Sequence, residues 1–185
     1  MNVTRTELPD VLVLEPNVFE DSRGWLFESY NARTFRDATG SDPSFVQDNQ
    51  SHSRHGVLRG LHYQIRQAQG KLIRVTAGEI FDVAVDLRRS SPTFGRWEGI
   101  VLSAANRRMA WIPPGFAHGF LVLSDAADVL YKASDFYAPQ HERTLAWDDP
   151  ALRIGWPLER LRLDAPIVSP KDAAGAPLSS AETFE

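Results

Sequence analysis

The stretch Val57-Leu58-Arg59-Gly60-Leu61-His62-Tyr63-Gln64 sets an arginine, a glycine and a histidine inside what otherwise reads as a buried β-strand. Strand alternation assigns Leu58, Gly60, His62 and Gln64 to one face and Val57, Arg59, Leu61 and Tyr63 to the other, so Arg59 and His62 point apart. Gly60 between them permits a β-bulge, and a bulge would bring both side chains to one side. The next strand, Lys71-Leu72-Ile73-Arg74-Val75, read as a hairpin partner, carries Lys71 toward His62. An imidazole, an ammonium and a guanidinium in one concave site make a proton-transfer site for an anionic substrate. A single strand histidine is more often a hydrogen-bonded or exposed residue, so this reading needs support from the rest of the chain.

On either side of this segment the pattern stays short-stranded. Val11 to Leu14 is apolar and ends at Glu15-Pro16; it is a candidate strand to extend a partner's sheet edge. Asp21 to Gly24 reads as a turn feeding the aromatic-rich Trp25 to Tyr30. Asn31 to Ala38 is the one clear short helix, with Asn31 as N-cap and Gly40 just past the end. Phe45 to Ser51 reads as a strand with an unusual amide load. Ile80 to Leu87 alternates cleanly, with Phe81, Val83, Val85 and Leu87 on one face and Asp82, Ala84 and Asp86 on a face expected to be solvated. Strands follow at Trp97 to Leu102, Met109 to Ile112, Ala117 to Leu123 and Val129 to Ala133, punctuated by glycine and proline. Many short, evenly spaced strands predict an all-β sandwich or barrel. The tail after about residue 173 reads as poorly ordered at its end.

With 185 residues and no internal break, one domain spanning 1–185 is expected. A net charge of -4 without a basic run speaks against nucleic-acid binding, so local cations must hold any anionic ligand. The absence of cysteine excludes disulfides, thiolate nucleophiles and cysteine-based zinc sites. No apolar leader or membrane-length stretch occurs, which predicts a soluble cytoplasmic protein with no membrane partner.

Pro113-Pro114-Gly115-Phe116-Ala117-His118 fits the second cupin motif, whose histidine usually binds a metal. The first motif needs a paired histidine where this chain has His62-Tyr63-Gln64, so too few ligands remain and no metal or other cofactor is expected. His52, His55 and His141 lie in polar, loop-like sequence and are expected to be exposed. His62 and His118 remain as titratable groups, with Asp172, Asp82 or Asp86 available to hold a tautomer. Tyr131 and Tyr137 are possible proton donors. Arg23 and Arg59 could clamp a phosphate, although Arg23 could equally pair with Glu20 or Glu28.

Eight segments, in order, resemble one family: Asp21-x-Arg23-Gly24, Phe45 to Ser51, Leu58 to Gln64, Gly70-Lys71-Leu72, Phe81 to Asp86, Ser91 to Gly95, Ile112 to Phe120 and Lys171-Asp172. That family is the dTDP-4-dehydrorhamnose 3,5-epimerases. The resemblance implies a cupin-type double-stranded β-helix, or jelly roll, with short peripheral helices, working as a metal-independent homodimer on a dTDP-sugar. It implies inversion of C3 and C5 of dTDP-4-dehydro-6-deoxy-D-glucose in dTDP-L-rhamnose biosynthesis. Carried over motif by motif, His62 is the base, Asp172 its orienting partner with Asp82 as substitute, Tyr131 the acid and Lys71 the stabiliser of the enolate. Arg23, Glu28, Gln47, Asn49, Arg59, His118, Tyr137, Glu142 and Lys171 are the implied substrate contacts. The same residues would serve an epimerase of one carbon only, whereas a non-catalytic binder would need neither base nor acid.

Overall fold

The computed structural model describes residues 1–185. Four strands come first: β1 (Asn2–Arg5), β2 (Leu12–Glu15), β3 (Val18–Asp21) and β4 (Gly24–Phe27). Helix α1 (Ala32–Thr39) follows, then β5 (Gln47–Arg54), β6 (Leu58–Gln64), β7 (Lys71–Ala77), β8 (Glu79–Asp86) and β9 (Trp97–Ser103). Strands β10 (Met109–Ile112), β11 (Phe116–Val122), β12 (Ala126–Ala133) and β13 (Glu142–Thr144) precede two one-turn helices, α2 (Leu158–Leu161) and α3 (Pro170–Ala173). One sheet runs β1-β2-β10-β7-β12-β5 and the other β13-β6-β11-β8-β9, with β3 and β4 as a separate hairpin. The pairing within these sheets is antiparallel, and the two large sheets face each other as a cupin-type jelly roll.

Ile73, Val75 and Val129 of the first sheet meet Ile80, Leu102, Phe120 and Val122 of the second to form the inter-sheet core. Two further clusters cover the outer faces. Helix α1 lays Phe35 on Trp111, Leu12 and Leu72, outside the first sheet. Its start and stop follow from sequence: Asn31 Oδ1 accepts from the Arg33 and Thr34 amides, and Gly40 takes the left-handed conformation that closes the helix. Outside the second sheet, Val83, Val85 and Leu87 pack with Leu145, Leu152 and Ala181 of the C-terminal third.

Three expectations are overturned. The apolar face of β8 is buried by the C-terminal segment, so its other face, carrying Asp82 and Asp86, turns into the sandwich, and these residues are 1% and 0% exposed. Asp86 accepts from Arg88 Nε at 2.9 Å and from the Ser91 and Thr93 hydroxyls at 2.6 Å each. Burial would raise its pKa, but these hydrogen bonds hold it at about 2. The tail, expected to be loose, is instead pinned by backbone bonds from Phe184 N to Leu87 O and from Arg89 N to Phe184 O. The Arg143 guanidinium further ties it through Glu182 at 2.7 Å. Its small, polar composition disguised anchors made mostly by backbone. Finally, β2 sits between β1 and β10, so the Val11 to Leu14 segment is interior to its sheet and offers no free edge.

Lys71 was expected to reach His62 through a β6–β7 hairpin. The two strands belong to opposite sheets, and the link crosses the sandwich. Lys71 nevertheless reaches His62, donating from Nζ to the His62 carbonyl at 3.5 Å. No helix is long and apolar enough to cross a membrane.

Candidate active site

The bulge anticipated at Gly60 is present. His118 pairs with His62 and Phe120 with Arg59, so three steps along β6 match two along β11. One extra residue reverses the alternation, and Arg59 and His62 consequently line the same cavity. Gly60 has φ +120°, and a Cβ there would lie 2.6 Å from Gly119 Cα; only glycine fits both the backbone angle and the contact.

His62 Nε2 donates to Asp172 Oδ1 at 2.6 Å. Asp172 is delivered by α3, whose N-cap Ser169 accepts from the Asp172 amide. An acceptor on Nε2 places the imidazole proton there and leaves the Nδ1 lone pair available. Burial lowers the His62 pKa below the usual imidazole value, with Asp172 opposing and Lys71 and Lys171 reinforcing, so His62 is mainly neutral at pH 7. Burial pushes the Tyr131 phenol upward, so it keeps its proton. Burial also draws Lys71 down to about 8, against the opposing fields of Asp82 and Glu142.

These groups surround a cavity of about 320 Å³ lined by Gln47, Asn49, His62, Lys71, Tyr131, Tyr137 and Glu142 together with Tyr63, Gln64 and Gln69. A second, adjoining space of about 150 Å³ shares His62, Lys71 and Tyr131 and adds Ser51, Arg59 and His118. Glu142 links two further candidates, accepting from Lys171 Nζ at 2.5 Å and from the Tyr137 hydroxyl at 2.9 Å. Burial would raise the Glu142 carboxyl, but Lys171 and Tyr137 outweigh it and lower it. Asp82, the substitute partner for His62, pairs instead with His118 Nε2 at 2.8 Å. No cluster of three or more His, Cys, Asp or Glu side chains is arranged to hold a metal.

Two expected contacts are not brought to the cavity. Arg23 sits at the β3–β4 turn, 88% exposed and bonded to Asp21 at 2.6 Å. Glu28 accepts from Asn31 Nδ2 and the Thr34 hydroxyl at the start of α1. Local turn and cap chemistry claims both within one chain. His55 and His141, expected to be exposed, are half-buried, whereas His52 is exposed and bonds Asp128. Sequence reasoning gave no role to Gln64, whose buried amide donates to the Phe136 carbonyl and accepts from the Ala138 amide, fixing the loop that carries Tyr137. The available signal was an amide in a buried strand two residues after His62.

Comparison with known proteins defines the class first: the fold is that of cupin-type carbohydrate epimerases, which are isomerases. The family model described as dTDP-4-dehydrorhamnose 3,5-epimerase matches residues 5–180. The chain belongs to that family. It is 61% identical over 184 residues to the dTDP-4-dehydrorhamnose 3,5-epimerase of Pseudomonas aeruginosa, covering 100% of this chain and 99% of the relative. It is 53% identical over 185 residues to that of Shigella flexneri, with the same coverage. The crystal structure of dTDP-6-deoxy-D-glucose-3,5-epimerase from Legionella pneumophila, in complex with dTDP-4-keto-L-rhamnose, superposes with a TM-score of 0.93. The two are 49% identical, and the match covers 98% of this chain and 94% of that one.

Proposed function

We propose that this chain inverts C3 and C5 of dTDP-4-dehydro-6-deoxy-D-glucose, giving dTDP-4-dehydro-L-rhamnose, with residues 1–185 acting as one catalytic domain. The observation that carries the reading is His62, bonded to Asp172 at 2.6 Å, on a cavity wall shared with Lys71 and Tyr131. His62 Nδ1 removes the proton next to the C4 ketone, and the bonding electrons move onto the C4 oxygen. Lys71 stabilises the enolate oxygen as its charge develops. Tyr131 returns a proton to the opposite face, and solvent restores both groups before the second carbon reacts. Arg59, His118, Gln47, Asn49, Glu142, Lys171 and Tyr137 hold the nucleotide sugar, with nucleotide binding positioning the reacting ring.

In heavy water, the wild-type protein given this substrate should incorporate deuterium at both C3 and C5, followed by NMR, while product with both centres inverted accumulates. Tyr131→Phe should retain exchange, because His62 still removes and returns protons on its own face, yet invert roughly 10²-fold more slowly. Exchange at one carbon in the wild type would replace this reading with that of a single-carbon epimerase.

We further infer a cytoplasmic homodimer in which the β3–β4 hairpin reaches the partner's cavity. Phe19 and Leu26 are 69% and 72% exposed on this hairpin, an apolar surface a second copy would cover, and Arg23 stands at its tip. Arg23→Ala and His62→Ala chains, each inactive alone, should regain roughly a quarter of wild-type activity when mixed and re-paired. Half the dimers are then hybrids with one intact site. No recovery in verified hybrid dimers would place Arg23 outside the partner's site.

A further inference from the structure

Strand β5 alternates between the interior and solvent: Gln47, Asn49, Ser51 and Ser53 turn inward, while Asp48, Gln50, His52 and Arg54 are exposed. Three of the four inward side chains have partners. Gln47 Nε2 donates to Asn49 Oδ1 at 3.0 Å, and Ser53 Oγ accepts from Arg59 Nε at 2.8 Å. The Ser51 hydroxyl is buried and bonds no protein atom. It lines the small space it shares with His62, Lys71 and Tyr131. A buried hydroxyl without a partner is unfavourable in the free protein, and its persistence beside a base, an acid and a cation points to a ligand oxygen as its partner. Lys71 and Arg59 can only donate, so an oxygen placed among them and Ser51 would collect donors alone, which suits an atom gaining negative charge.

We propose that the Ser51 hydroxyl is a second donor to the C4 oxygen of the bound sugar, acting with Lys71 Nζ on the enolate. This deepens the epimerase reading and rests on it. Because the bond strengthens as charge develops, its loss falls on kcat and not on substrate affinity.

Ser51→Ala and Ser51→Cys are compared with wild type for kcat, KM, deuterium exchange at C3 and C5, dTDP affinity and Tm. Ser51→Ala should lower kcat and both exchange rates about 10²-fold, with KM and dTDP affinity within a few-fold. Ser51→Cys, carrying a weak donor of similar size, should fall between. Tm of Ser51→Ala should be unchanged or higher, since an unpaired hydroxyl has been removed; a structural role predicts the reverse. A Ser51→Ala enzyme within two-fold of wild-type kcat, one altered in KM alone, or one with a lowered Tm would overturn the assignment. Should the wild type exchange neither proton, the epimerase reading falls and takes this proposal with it; normal wild-type exchange matched by Ser51→Ala removes Ser51's role alone.

Discussion

His62→Ala is expected to lower the epimerisation rate by roughly 10²- to 10⁴-fold and to erase deuterium incorporation at C3 and C5 together. Both carbons flank the same ketone, and His62 is the histidine that lines the main cavity, its other ring nitrogen fixed by Asp172, so one base serves both steps. Asp172→Asn separates orientation from base chemistry. The aspartate raises the His62 pKa while burial lowers it. Removing that negative charge moves His62 further below its ordinary value, so the acid limb of the pH–rate profile should shift to lower pH. The rate on the plateau should fall as well, because an amide can stabilise neither the tautomer nor the imidazolium as the carboxylate does. Exchange that persists at either carbon in His62→Ala would assign the base elsewhere, with His118 and its Asp82 the next pair to test.

Lys71→Met should cost about 10²- to 10³-fold in kcat, the range for loss of a donor aimed at a developing oxyanion. Its signature lies in the alkaline limb. A lysine held at about 8 is cationic at pH 7 and loses its proton as pH rises through that value, and the enolate then loses its stabilising charge. The intact protein should therefore lose activity above about pH 8, and the residual activity of Lys71→Met should show no inflection there. The Tyr131 phenol, raised above its ordinary value, titrates later and does not mimic this limb. An unchanged alkaline limb in Lys71→Met would show that another group sets it.

Much of the local structure was legible. Asn31 and Gly40 bracket α1 because a side-chain cap and a left-handed glycine act within a few residues of the helix they bound. Gly60 announced the bulge for the same reason, since only a residue without Cβ allows the backbone to make that step. Asp172 reached His62 as the resemblance implied, across 110 positions of sequence. Asp82 and Asp86 were misread because alternation tells which residues share a face and says nothing of what covers it. The C-terminal third buries the apolar face of β8, and the carboxylates are left facing inward.

The sequence by itself determined the strand segments, the parity of their faces, the helix ends, the bulge and the ordered motifs of the family, because each is written in spacings of a few residues. Only the tertiary structure decided that β6 and β7 lie in opposite sheets and do not pair, that Asp82 serves His118 and leaves His62 to Asp172, and that Arg23 and Glu28 stand apart from the cavity. Those outcomes depend on which distant segments bury which surfaces. That is a competition among long-range contacts whose result no local pattern encodes.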